Sequence, residues 1–312
     1  MGLWKKLTEP NRKNPKKRFS DEMLKEMIVP LIIEQLLLMV VGMADTMMVS
    51  YAGEAAVSGV SLDTMIYTIF LMLFTALGTG GSVIVSQYIG NGNKDKANLS
   101  ASQLFMIAGL FGILCSVVML VCGNGLLNLL YQSVEPSVMD ACQTYLWIVV
   151  LSFPANAVYN AGTALYRSMG KTSVTMKVSM SMNIVNIVGN AIGIFVLHAG
   201  AAGVAVPTTV AWYYAAIVMT VCCYSKKNEV FVETKNIMRF DKDIVGRILH
   251  VAIPNSIENG LFQAAKVVLG SLIATFGTSQ IAANGIGQTI WSLAASILTA
   301  MTPAFVTCVG QC

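Results

Sequence analysis

Charge is what this sequence has least of. Of its 312 residues only 12% are Asp, Glu, Lys or Arg, about half the share of a soluble globular domain. Histidine is nearly missing, with His198 and His250 alone. There is no HExxH, no phosphate-cradling GxxxxGK[ST] and no evident pairing of a nucleophile with a base. Zinc peptidase, P-loop ATPase and hydrolase chemistry therefore lack the residues they need. Nothing resembles a nucleic-acid reader, and no catalytic residue or resident cofactor is indicated. The seven cysteines (Cys115, Cys122, Cys142, Cys222, Cys223, Cys308 and Cys312) form no CxxC and fall mostly inside apolar runs. They read as small packed hydrophobes, not as a zinc or disulfide framework. The first 22 residues are polar and basic, without the apolar stretch and small-residue cleavage site of a secretory leader.

What fills the sequence instead is apolar. It is 55% hydrophobic with a mean hydropathy of +0.66, in runs of roughly 20 to 30 residues that are long enough to cross a bilayer as helices. Eight spans can be drawn, at 27–51, 57–89, 100–123, 141–165, 174–197, 203–224, 248–275 and 281–312. Against these spans 19 of the 20 Lys and Arg fall before the first span, after the second, fourth and sixth, or, for Lys177, in the first turn of span five beside the loop after the fourth. The twentieth, Lys266, lies inside span seven, and the loops after spans one, three, five and seven hold no Lys or Arg. The positive-inside rule then places the N-terminus and every even-numbered loop in the cytoplasm.

A repeat runs through this pattern. Pro30/Pro254, Glu34/Glu258, Gly53/Gly277 and Gln87/Gln311 share one offset of 224 positions. Ile33/Ile257, Leu37/Leu261, Ile66/Ile290, Thr75/Thr299, Ala76/Ala300 and Val85/Val309 follow it without a gap. Spans one and two thus match spans seven and eight. The expected organisation is a basic N-terminus (1–26), a six-helix N-lobe (27–224), an inter-lobe linker with room for a short surface helix (225–247) and the start of a C-lobe (248–312). The second copy stops after two helices, so the chain reads as all-α integral membrane protein, eight helices of an expected twelve. A piece of this kind is not expected to complete a transport cycle alone.

Ionisable side chains inside a span cost roughly 2.5–3.5 kcal/mol each near its centre on insertion scales, and they are functional candidates for that reason. Here they are Glu34 and Asp45 in span one, Asp63 in span two, and Glu258 and Lys266 in span seven. Glu34 is near enough to the inner end to reach headgroups, and Asp63 near enough to the outer end to be interfacial. Glu258 and Lys266 can pair or bracket a cavity in a second-lobe polar site. Gln87 is a further intramembrane polar residue, kept in the repeat as Gln311. Asp45 lies deep in its span. Asn186 and Asn190 are one turn apart in span five and share a face, with Asn183 nearby. Thr208 of span six falls at a similar depth. One carboxylate, two amides and a hydroxyl are hard oxygen ligands suited to Na⁺, or a setting for a carboxyl that takes up a proton. The same residues can equally act as hydrogen-bonding glue between helices. The 19 methionines, with Met39, Met43, Met47 and Met48 in span one, can form an adaptable wall or plain packing. Gly78, Gly80 and Gly81 permit close approach, and Pro154 and Pro207 permit kinks.

Several segments resemble the multidrug and toxic compound extrusion (MATE) family. They are PLIIEQLLLMVVGMADTMMVSYAGEAAVSGVS, GTGGSVIVSQYIGNGNKDKA, LYRSMGKTSVTMKVSMSMNIVNIVGN, GAAGVAVPTTVAW and IPNSIENGLFQAAKVVLGSLIATFGTSQIAANGI. Their order and spacing cover nearly all of the chain after residue 25. The resemblance implies twelve helices in two lobes and cation-coupled export of organic, often cationic, compounds across the plasma membrane, with no ATP and with small organic substrates and the bilayer as partners. The full-length protein is expected to be a monomer. The family's N-lobe cation site falls on Asp45, Asn186 and Thr208. Asn190 stands where some members carry Asp, which removes a charge and leaves Na⁺ or H⁺ as the coupling ion. A lipid-linked glycan flippase of related fold and a non-transporting scaffold are the competing readings.

Overall fold

Each long apolar run folds as a helix, because within hydrocarbon a helix satisfies its own backbone N–H and C=O groups. The computed structural model describes residues 20–131, 134–274 and 278–312, with the side chains of these except at 264, 266–268, 270–274, 278–286, 288–290, 292–293 and 297. The described residues form α1 (Asp21–Ser50), α2 (Glu54–Gly90), α3 (Lys94–Leu130), α4 (Pro136–Val150), α5 (Phe153–Ser168), α6 (Thr172–Ala191), α7 (Ala202–Cys223), α8 (Thr234–Ile237), α9 (Lys242–Ala274) and α10 (Thr278–Gln311). A π-helical turn, Ile192–Val196, extends α6. No strand occurs among the described residues.

Six elements are long and apolar enough to cross a membrane: α1, α2, α3, α6 with its π-turn, α7, and Ala294–Gln311 of α10. The pair α4 and α5, bent by 50°, makes a seventh. The protein is thus an all-helical, multi-pass membrane protein. Span seven is α9, whose apolar character is interrupted by Asn255, Ser256, Glu258, Asn259, Gln263 and Lys266, and which stands outside that set.

Span four, drawn as one helix, is two. Pro154 has no N–H to give the Val150 carbonyl, so the ladder opens there. Neighbouring helices close the gap. Ser116 Oγ donates to Val150 O at 2.6 Å, Thr209 Oγ1 to Ile148 O at 3.1 Å and Tyr213 Oη to Leu151 O at 3.0 Å. Where helices end outright, glycine does the turning. Gly92 (φ 70) and Gly170 (φ 73) take the left-handed conformation after α2 and α5. The Asn93 and Lys171 N–H groups reach back to Tyr88 O and Tyr166 O, each at 3.0 Å. These are Schellman turns, and Asn93 goes on to cap α3 by accepting from Lys96 N at 3.1 Å.

The repeat is visible in the packing. Met27 and Leu31 of α1 share a buried cluster with Ala300 and Ala304 of α10. Gly80 of α2 lies against Ile248 and Ala252 of α9, where a Cβ would come within 2.7 Å of the Ile248 carbonyl. Exchanging the copies turns the α1–α10 pair into the α9–α2 pair. Ser86 and Gly310 are repeat equivalents, and they touch: a Cβ on Gly310 would lie 2.7 Å from Ser86 Cβ. The copies therefore meet in a near-two-fold manner, as related repeats in transporters do.

The segment between the copies carries α8 and is docked on buried polar groups of α3. Phe231 N donates to Asn98 Oδ1, Glu233 N to Ser102 Oγ and Asp241 N to Gln103 Oε1, each at 3.0 Å. Val230 and Val232 of this segment are themselves buried.

Candidate functional site

The polar residues singled out in spans one, five and six come together where α1 meets α6 and α7. Glycine makes this possible. The α6 and α7 backbones touch at Gly193 and Gly203, with no room for a side chain on either. One turn back, a Cβ on Gly189 would fall 2.5 Å from Pro207 Cβ. This crossing brings Asn186 beside Thr208, with 3.1 Å between the amide and Oγ1. Asp45 closes the cluster from α1, accepting from Asn190 Nδ2 at 2.9 Å. Asn190 is fully buried and Asn186 nearly so, whereas Asp45 and Thr208 are half-buried. Among the described residues no three His, Cys, Asp or Glu side chains gather at one point. Amides and a hydroxyl therefore surround this lone carboxyl.

The Asn186 amide has two orientations with different chemistry. With Oδ1 toward Asp45, the amide nitrogen donates to Thr208 Oγ1, Oδ1 accepts from Asn190 Nδ2 at 3.1 Å, and Thr208 donates to Val204 O at 2.8 Å. Three acceptor oxygens then converge, because Asn186 Oδ1 lies 3.1 and 3.3 Å from the two Asp45 oxygens. With the amide turned over, its nitrogen donates to both Asp45 oxygens and its oxygen accepts from Thr208. The two amide nitrogens of Asn186 and Asn190 then face each other at 3.1 Å. Each orientation thus leaves one like-with-like contact. Asn190 Oδ1 is buried with no partner among the described residues. A cation or a proton among the converging oxygens relieves the first orientation, so the residues fit a small hard cation.

Glu34 behaves otherwise. It turns inward, not to headgroups, and is 4% exposed. Its Oε1 accepts from Arg167 Nη2 of α5 at 3.1 Å, and Thr175 Oγ1 of α6 stands 3.5 Å from its Oε2. The α10 end is fastened beside this pair: Thr307 Oγ1 donates to Arg167 O at 2.7 Å, and Gln311 Nε2 to Ser168 O at 2.6 Å. Pro30 leaves the Glu26 carbonyl of α1 without its helical donor, and Thr172 Oγ1 lies 3.4 Å from it while donating to Met27 O at 2.7 Å. Counting Arg167 among topology-setting loop residues concealed this pairing, because Arg167 belongs to the last turn of α5.

Asp63 is not interfacial either. It is 1% exposed, between α2 and α4. Gln87 and Glu258 are exposed and join neither cluster. The side chain of Lys266 lies outside the described residues, and so does the proposed Glu258–Lys266 pairing.

A family model described as MatE matches residues 30–192, just over half of the chain. The chain is 28% identical to the uncharacterized transporter YisQ of Bacillus subtilis, over 84% of this chain and 58% of that protein. It is 25% identical to the probable multidrug resistance protein NorM of Thermotoga maritima, over 93% of this chain and 63% of that one. Among solved structures, an outward-facing multidrug resistance MATE family transporter of the MOP superfamily superposes with a TM-score of 0.86 at 20% identity, over 93% of this chain and 64% of that one. The chain thus spans about three fifths of the length of these relatives.

Proposed function

The chain belongs to the MatE family, and from that premise we propose that it serves secondary antiport: export of organic, often cationic, compounds in exchange for Na⁺ or protons. The relatives named for multidrug resistance support the substrate class. The observation that carries the coupling is a lone, half-buried carboxyl, Asp45, whose oxygens stand 3.1 and 3.3 Å from the Asn186 amide, with the Thr208 hydroxyl oxygen 3.1 Å beyond that amide.

In this reading Na⁺ or a proton sits among those oxygens, and its departure lets the Asn186 amide turn to donate to a bare Asp45 carboxylate. The ion ties α1 to the rigid α6–α7 crossing. Proline-bearing α1 is the element able to bend in response. An organic cation approaching half-buried Asp45 competes for the same charge. Export then follows by alternating access, as the α10 fastenings beside Glu34 form and release while the two lobes rock. The N-terminus is cytoplasmic, so that end faces the cytosol, and the protein resides in the plasma membrane as a monomer among lipids. No ATP, resident cofactor or nucleic acid takes part, and no bond of the substrate is made or broken. A glycan flippase would need free cations for phosphate, and Arg167 is engaged by Glu34.

Replacing Asp45 by Asn in the full transporter is expected to abolish drug resistance and ion-driven efflux in cells while expression holds. Resistance and coupled efflux equal to wild type would overturn the assignment.

A further inference from the structure

Asp63 belongs to neither polar cluster, and its surroundings supply none of what a buried carboxylate requires. It sits on α2 where Gly59, one turn earlier, lets α4 come so close that a Cβ would lie 2.8 Å from Cys142 N. Both carboxyl oxygens are inaccessible and, among the described residues, no group meets hydrogen-bond geometry with them. The Cys142 thiol, the Leu146 N–H and Tyr131 are its neighbours, none in bonding geometry with it. No Lys, Arg or His faces it from α2, α3 or α4 among the described residues. Its open side borders a small cavity shared with Tyr67, Tyr145, Val149 and Phe153. Tyr67 Oη accepts from Asn156 Nδ2 at 2.7 Å and has Ser152 and Trp212 beside it, and Asp63 is not among its hydrogen-bond partners. Tyr145 stands between the two carboxyls, with Asp63 and Asp45 both within its electrostatic surroundings and Thr208 beside its hydroxyl.

A bare carboxylate in such a place loses its hydration and gains no cation in return, the nearest donors being a weak thiol and one helix N–H that do not reach hydrogen-bond geometry. A neutral carboxylic acid avoids that loss. We propose that Asp63 is a second proton-binding site of this protein, a carboxyl that holds a proton while α2 and α4 are packed as here. The step is protonation alone: one O–H bond forms on an Asp63 oxygen, with the proton taken from solvent and returned to it when the packing opens. The site is separate from the Asp45 cluster. It holds its proton whichever ion Asp45 binds, so either assignment can fail without the other.

Infrared difference spectroscopy on the purified chain at neutral pH reads the carbonyl stretch of protonated carboxyls directly. In the Asp45→Asn protein, where the other site is already neutral, a protonated-carboxyl band is expected that shifts in D₂O. It disappears on adding Asp63→Asn and moves, without disappearing, on adding Asp63→Glu. The glutamate variant keeps the test open should the amide fail to fold. Absence of the band from the Asp45→Asn protein, or a band unmoved by both substitutions at position 63, overturns the proposal.

Discussion

Glu34 and Asp45 lie about three turns apart on α1 and meet opposite company. Glu34 has a guanidinium at 3.1 Å and is 4% exposed. Asp45 is half-buried and faces amides and a hydroxyl, with no fixed cation beside it among the described residues. A carboxylate whose countercharge is covalently part of the protein is a fastening. One whose surroundings are neutral dipoles leaves its charge to be matched by something that comes and goes. In the proposed reading the same helix carries a structural carboxylate at one end and an exchangeable one nearer the other, with Pro30 beside the first.

The largest effect that separates the two is on stability. Arg167→Met strands a buried charge and is expected to cost about 3–5 kcal/mol of unfolding free energy, read by denaturant or thermal unfolding in detergent. Adding Glu34→Gln should recover most of that loss. Asp45→Asn, which strands no charge, should cost far less. If Arg167→Met proves no worse than Asp45→Asn, the contrast between a fastening and an exchange site is lost.

A smaller effect sharpens the Asp45 side. Gly193→Ala forces α6 and α7 apart at their closest point and is expected to cost about 1–3 kcal/mol, as overpacking does. It should also weaken ion binding, because Asn186 and Asn190 ride on α6. Gly42→Ala on α1, where nothing lies within 4 Å of the added Cβ, is the matched control. Equal ion affinity in both variants would mean that the α6–α7 crossing does not position the site.

These contrasts were unequally legible in the amino-acid sequence. The helices were, because hydrophobic runs and the sorting of Lys and Arg are properties of the chain alone. So was the set Asp45, Asn186, Asn190 and Thr208, since an acid deep in an apolar run and two amides one turn apart stand out. The partner of Glu34 was not, because Arg167 lies far away in sequence and reads as a loop cation. Asp63 was misplaced for a related reason. Depth along a span says nothing about which neighbour covers that face, and Gly59 brings α4 over it. The break within span four was foreshadowed by Pro154, but the side chains that make it tolerable, Ser116, Thr209 and Tyr213, come from three other stretches. Nothing in the sequence singles out Asn98, Ser102 and Gln103 at the start of span three, and their role in holding the linker appears only when its backbone N–H groups are seen to arrive.

The central claim is that Asp45, not Glu34, holds an exchangeable cation. A direct measurement counts the protons and Na⁺ ions bound per purified chain near neutral pH, by pH-stat titration with and without added Na⁺. Asp45→Asn is predicted to lower the count by one relative to wild type, and Glu34→Gln to leave it unchanged. An unchanged count in Asp45→Asn, or a count lowered by Glu34→Gln, would contradict the account.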